Sequence, residues 1–154
     1  MNEHWSRWIF TSISKHFNDR KRDLTMFIEG QWRKTRGLKD FIELRVDGPR
    51  ITEVSKGYWK IYCEVNMAIQ STMDDKDNHR IEKSIGIVVM AFSDIYVYRL
   101  GDGPQDDGSL LGCLKLIQDI PTRERLQVYR LGQVDNVDKL MQAVVEGHYK
   151  MELP

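Results

Sequence analysis

The sequence has few of the residues that build covalently stabilised scaffolds. Its 154 residues include only two cysteines, Cys63 and Cys113, and each lies within an apolar run. Isolated thiols in apolar runs are typical of small buried side chains, whereas a secreted disulfide framework has a larger, paired set of cysteines. We therefore expect two free cysteines and a reducing compartment.

Long apolar runs and an excess of one charge are also missing. No stretch approaches the roughly 20 apolar residues that span a bilayer, and His4, Arg7 and Lys15 interrupt any signal-peptide core. We expect no membrane partner and no secretory leader. Lysine plus arginine equal aspartate plus glutamate at 23 each, which removes the electrostatic footprint of a dedicated nucleic-acid-binding protein.

Catalytic motifs are absent from the sequence as well. It contains no Gly-x-Ser-x-Gly elbow, no His-x-x-x-His pair and no Cys-x-x-Cys pair, and its four histidines are scattered. Catalysis needs a nucleophile or a general acid and base brought together in a pocket. We therefore predict that the protein is not an enzyme and has no catalytic residue, no cofactor and no metal site.

Two aspartate-rich segments keep a metal-dependent enzyme open as an alternative. Asp74, Asp75, Asp77 and His79 resemble a ligand set, but acidic residues there are better explained as caps of a following helix. The glycine- and aspartate-rich segment 101–109 lacks the spacing of an EF-hand loop and the lysine of a P-loop. We interpret it as a long flexible loop.

The most informative pattern is a ribbon at residues 39–71. Within 58–70, apolar side chains fall on odd positions and mostly polar ones on even positions, which predicts a strand with one buried face. A preceding strand at 40–54 is broken by Asp47-Gly-Pro and joined to it by Lys56-Gly57. At about 3.3 Å per residue, the second strand is about 40 Å long, roughly twice the usual length. Such ribbons more often reach a neighbouring subunit than build an active site.

The end of this ribbon is the candidate subunit interface. Ile51, Val54, Tyr58 and Trp59 are large apolar side chains beside Lys56-Gly57, where a free-standing turn would normally be polar. An aromatic anchor in a partner's pocket can contribute about 2 kcal/mol or more to an interface. The alternative is that Trp59 belongs to the intramolecular core, as its odd position allows.

The remaining patterns predict an α+β fold. Helical spacing of apolar residues indicates an amphipathic helix near the N-terminus and a second at 79–92, although the β-branched run 85–89 could also form a strand. Further strands are predicted at 24–29, 94–100, 110–117, 123–131 and 140–153. The helical stripes are Trp5, Trp8, Ile9, Ser12, Ile13, His16 and Phe17, then Ile81, Ile85, Val88, Val89 and Phe92. We expect a single domain, 1–154: a mainly antiparallel β-sheet with a long β-hairpin, flanked by two helices.

A basic stretch offers a second kind of partner. Arg33, Lys34, Arg36 and Lys39 lie beside Trp32 and could contact phosphates. Four charges in a glycine-containing loop are normally a solvated segment, so we predict no sequence-specific nucleic-acid binding. A monomeric adaptor that binds nucleic acid through this stretch is the alternative.

The order of these elements resembles the lambda-type tail terminator, or tail-to-head joining, proteins of long-tailed bacteriophages. An N-terminal amphipathic helix leads to a short strand ending near a glycine, at 27–30, and then to the extended strand at 40–54. An aromatic-started return strand at 58–65 follows, and after a helix and a further strand the chain ends in the strand at 146–153. The segment 101–109 and an extra hairpin at 110–131 depart from the shorter family members.

This resemblance implies a structural virion protein. In the family, a homohexameric ring caps the tail tube, stops its polymerisation and presents a surface to the head connector. The implied partners are other copies of the chain, the tail-tube protein and the head connector or stopper protein. The implied location is the tail or neck of the virion, after assembly in the host cytoplasm. Another neck or baseplate component is the alternative within the same class.

Overall fold

The computed structural model describes residues 2–31, 37–72, 79–118, 124–135 and 140–153. These residues form two α-helices and seven β-strands, and the α+β fold with a mainly antiparallel sheet is confirmed. In chain order the elements are α1 (Trp5–Arg20), β1 (Thr25–Ile28), β2 (Asp40–Ser55), β3 (Tyr58–Thr72), α2 (His79–Ala91), β4 (Ile95–Tyr98), β5 (Leu110–Ile117), β6 (Leu126–Asp135) and β7 (Leu140–Leu153).

The long hairpin of β2 and β3 is the centre of the sheet. The strand order is β1-β2-β3-β7-β5-β4, with β6 paired to β7 beside β5. Pairing of β2 with β3 runs from Asp40 opposite Ser71 to Ser55 opposite Tyr58. β1 is parallel to β2, and the other pairs are antiparallel.

The prediction of a hairpin at 110–131 is wrong, because β5 and β6 are not paired with each other. β5 is paired with β4 and with residues 148–150 of β7, whereas β6 is paired with residues 140–147 of β7. The two strands therefore lie end to end along one edge of β7. This arrangement is possible because β7 is long enough to hold two shorter partners in succession.

The period-two patterns of β3 and β7 are confirmed. Odd positions 61–71 of β3 and 143–153 of β7 are buried, and their even-numbered neighbours are mostly half-buried or exposed. α2 lies across β3 and β7, and α1 lies mainly against β4. The core therefore forms between one face of the sheet and both helices. We call the other face the open face.

The second helix settles the ambiguity at residues 85–89. Ile81, Ile85, Val88 and Phe92 are buried, which is the helical spacing that the sequence indicates. Burial against the sheet outweighs the intrinsic β-preference of the branched residues. The predicted caps at Asp74, Asp75 and Asp77 and the basic residues Arg33, Lys34 and Arg36 lie outside the described residues.

The predicted break at Asp47-Gly-Pro is a bulge inside a continuous strand. Asp47 is opposite Glu64 and Arg50 is opposite Tyr62, so β2 has one more residue here than β3. Gly48 has a φ of +109°, and a Cβ there would lie 2.9 Å from the carbonyl oxygen of Tyr62. Because both the conformation and the space exclude a side chain, glycine is required at this bulge.

Candidate subunit interface

The end of the hairpin is part of the sheet. β7 accompanies β3 up to the pair formed by Trp59 and Leu153. On the other side, the pairing of β1 with β2 ends at Leu44. Residues 46–55 of β2 therefore have β3 as their strand partner in the part of the chain that the structure describes. The candidate surface is therefore a sheet edge with a turn at its end. In that turn, Gly57 has a φ of +78° and its N–H donates to Glu53 Oε1 at 3.1 Å.

The four predicted interface residues are near this turn but lie on two faces. Ile51 is opposite the buried Ile61, so it points to the helix side, and it is 38% exposed. Trp59 also lies on the helix side and packs, half-buried, against the core. Tyr58 is on the open face. Val54 lies in a second bulge between Glu53 and Ser55 and is 52% exposed.

Trp59 therefore has an intramolecular role, as the alternative interpretation proposed. Replacing it would remove core contacts as well as any contact with a partner. Ile51 and Val54 expose more of their surface, and neither has a polar atom in its side chain. These two residues are exposed apolar side chains on an otherwise polar hairpin edge, and variants there report on assembly with less effect on folding.

A network of charged residues holds Tyr58 on the open face. Tyr58 Oη donates to Glu152 Oε2 at 2.6 Å, and Lys150 Nζ donates to Glu152 Oε1 at 2.8 Å. The hydrogen bonds from Lys150 and Tyr58 lower the pKa of Glu152 to about 2, and the bond to Glu152 raises the pKa of Tyr58. The hydroxyl of Tyr58 is thus satisfied within the subunit, while its ring remains half-exposed.

One group on the open face has the composition of a metal site. Glu64 is opposite His148 in the pairing of β3 with β7, and Glu146 is two residues before His148. The potential ligand atoms of the three side chains lie within 4.8 Å of one another, and His148 Nε2 is 3.0 Å from Glu146 Oε1. The two carboxylates and the imidazole could share a cation, a possibility that the sequence did not reveal because it depends on strand register.

The glycine- and aspartate-rich loop is anchored to α1. The almost fully buried carboxylate of Asp106 accepts hydrogen bonds from Arg7 Nη2 at 2.8 Å, Trp8 Nε1 at 2.6 Å and the N–H of Gly103 at 3.0 Å. Arg7 also donates to the carbonyl of Leu100 at 3.0 Å. Arg7 and Trp8 hold the pKa of Asp106 well below its usual range. The carboxylate of Asp106 therefore has a structural role in the loop.

Asp106→Asn is expected to lower the melting temperature by a few degrees at pH 7. Because the pKa of Asp106 is depressed in the folded state, its stabilisation is present above its ordinary pKa of 3.8 and is lost as the pH falls further. The difference between wild type and variant should therefore shrink below about pH 4. Thermal melts from pH 2 to 8 measure it. Asp102→Asn, in the exposed part of the same loop, is the control, and an equal deficit in both variants would contradict the assignment.

Comparisons with known proteins leave the family open. None of the protein-family models matches this chain, and no curated protein matches it significantly. Among the described residues, neither helix has the length and apolar character needed to cross a membrane.

Proposed function

We propose that the protein is a structural virion protein, a tail terminator whose copies form a closed ring on the end of a phage tail tube. The observation that carries the proposal is the distal half of β2, an edge strand with apolar side chains at Ile51 and Val54. Such an edge is a template for pairing with another chain, and proteins that remain monomeric usually protect it. By the family resemblance the ring has six copies.

Ring closure places a requirement on the surface of each copy. Two different patches must meet head to tail, because a contact between identical patches stops at a dimer and a non-closing contact makes filaments. The two sides of the sheet differ in this respect, since the distal half of β2 lies beyond the pairing with β1 on one side, and β6, β5 and β4 lie on the other side of β7. The hairpin edge supplies one of the two patches.

The buried histidine His16 has a structural rather than a catalytic role. His16 is buried, its Nε2 donates to the carbonyl of Ala91 at 2.8 Å, and burial lowers its pKa. It thereby connects the C-terminal half of α1 to the end of α2. Asp106 and Asp107, which motivated a metal-dependent enzyme, are bonded to Arg7 and Ser109 respectively. We therefore propose a non-enzymatic protein without a cofactor, which has its own copies, the tail-tube protein and the head connector as partners.

The proposed activity is to stop tube growth, and this can be measured directly. Tail-tube protein from the same virus should polymerise to longer tubes alone than in the presence of this protein. We expect electron micrographs to show shorter tubes with a ring at one end at equimolar protein. Unchanged tube lengths and bare tube ends would contradict the proposal, and a ring bound elsewhere in the neck or baseplate would favour the alternative component.

A further inference from the structure

The sheet has two free edges, that is, segments with no second strand partner among the described residues, and they are suited to each other. One is the distal β2 edge, residues 46–55, whose strand partner is β3. The other is the β6 edge, residues 126–135, whose strand partner is β7. The inference drawn from them rests on the proposed function, because it assigns the two patches that the ring needs.

The direction of the backbone groups in β2 follows from one hydrogen bond. The carbonyl of Leu44 accepts from the N–H of Glu29, so the backbone groups of Leu44 point away from β3. In an antiparallel pair this direction alternates along the strand. The extra residue in the bulge at 47–50 shifts the alternation by one, so that Ile51 and Glu53 direct their N–H and C=O groups to the outer edge.

The same alternation can be followed across the sheet to β6. Met67 is opposite Leu44 and therefore points toward β7, where it is hydrogen-bonded with Val145. Even-numbered residues of β7 then point toward β6. Consequently Val128, which is opposite Val145, directs its backbone groups away from β7, to the outer edge. Both edges thus direct backbone donors and acceptors outward, where the described residues supply no strand partner.

Other parts of the sheet boundary are protected. The hydroxyl of Ser12 on α1 accepts from the N–H of Tyr98 at 3.0 Å and lies 3.3 Å from its carbonyl oxygen, to which it can donate. This side chain covers the edge of β4 at Tyr98. β1 covers residues 41–44 of β2. Tyr98 and residues 41–44 are thus covered by other parts of the same copy, whereas the distal β2 edge and the β6 edge carry bulges but have no covering strand among the described residues.

The strand directions make the two free edges compatible. β2 is antiparallel to β3, β3 to β7, and β7 to β6, so β2 and β6 run in opposite directions. They also lie on opposite sides of the β3–β7 pair. The β6 edge lies level with residues 140–147 of β7 and the distal β2 edge with residues 147–153, so a neighbouring copy with the same orientation brings its distal β2 beside β6, in the antiparallel arrangement, when it is displaced along the strands. No contact of this kind can form within one copy.

We propose that adjacent copies pair the distal β2 edge of one with the β6 edge of the next, so that the sheet continues from subunit to subunit. Apolar side chains at both edges support this pairing, namely Ile51 and Val54 on β2 and Leu131, 57% exposed, on β6. When two ten-residue segments pair fully in antiparallel register, their centres meet, which brings Ile51 close to Leu131. A two-fold contact of β2 with β2 would leave β6 open and could not make a ring.

The contribution of the edge N–H is tested with Ile51→Pro. Proline is tolerated in an edge strand where the N–H faces outward, and here it removes the isoleucine side chain together with an N–H that would donate to the neighbour. Ile51→Thr is the matched control, since it also removes apolar surface but keeps the N–H. We expect the proline variant to need about tenfold more protein for half-assembly than the threonine variant, as a lost interface hydrogen bond predicts. Equal assembly of two variants with similar melting temperatures would overturn the pairing.

Cross-linking tests the pairing without relying on the proline variant. Ile51→Cys and Leu131→Cys copies are mixed and treated with a flexible bis-maleimide. Cys63 and Cys113 give little background, because burial raises the pKa of both thiols, that of Cys63 to about 12. Cross-links that appear only in the mixture support the proposal. Cross-links between Ile51→Cys copies, or none in an assembled ring, overturn it and leave the proposed function standing. Failure of wild type to assemble counts against both.

Discussion

Replacing both Val54 and Tyr58 by serine is expected to raise the protein concentration needed for half-assembly by about 30-fold or more. Loss of an apolar or aromatic anchor costs an interface about 2 kcal/mol or more, and each 1.4 kcal/mol corresponds to a factor of ten. Val54 contributes little to the core because half of its surface is exposed. Surface substitutions of this kind usually change folding stability by less than about 0.5 kcal/mol, although Tyr58→Ser also removes the bond to Glu152.

A second double variant controls for a general loss of apolar surface. Met90→Ser with Tyr96→Ser removes one aliphatic and one aromatic side chain from exposed sites on α2 and β4, away from the hairpin. Mass photometry across a dilution series gives the half-assembly concentration of each, and circular dichroism gives the melting temperature. Equal effects of the two double variants on assembly would show that the hairpin edge has no special role.

Gly147→Val is expected to destabilise the fold by about 3 kcal/mol, which lowers the melting temperature by about 6 to 12 °C. A Cβ at this position in β7 would lie 2.8 Å from two carbons of the Phe92 ring and 3.1 Å from Leu116 Cδ1. The ring of Phe92 cannot move away easily, because it packs edge-on against Phe17 and stacks with Tyr149. Valine would force a shift in this aromatic group.

Gly86→Ala, in the helix that packs on β7, is expected to have the opposite effect on the free energy of unfolding. Gly86 lies on the exposed side of α2, and a Cβ there would meet nothing within 4 Å. Alanine is expected to stabilise the protein by about 0.5 to 1 kcal/mol, since glycine loses more backbone entropy in a helix. Urea denaturation measures both variants. A destabilised Gly86→Ala, or an unaffected Gly147→Val, would contradict the packing of α2 and Phe92 on β7.

The sequence predicts those parts of the fold that repeat with a short period. Alternation in β3 and β7 and helical spacing in α1 and α2 identify the buried faces, because each depends only on which neighbours along the chain share a side. Strand register is different, since it depends on contacts between distant residues. Consequently the sequence did not indicate that β5 and β6 share β7, that Asp106 binds α1, or that Glu64 meets His148.

The candidate interface shows the same limit on a smaller scale. The sequence correctly places Ile51, Val54, Tyr58 and Trp59 near one turn, and the structure divides them between two faces. Tyr58 and Trp59 are consecutive in β3 and therefore face opposite sides, as the alternation predicts. The extra residue in the bulge at 47–50 moves Ile51 to the helix side, and Val54 lies in the bulge at 53–55. Asp47-Gly-Pro marks the first bulge in the sequence, but the pattern alone does not tell a bulge from a break.

The mass of the assembled particle tests the central claim most directly. Native mass spectrometry of the wild-type chain at micromolar concentration, alone and with tail-tube protein, counts the copies in one particle. Head-to-tail contacts that close predict a single discrete oligomer, six copies by the family resemblance, without a ladder of larger species. A chain that remains monomeric under both conditions, or one that stops at a dimer, would contradict the account.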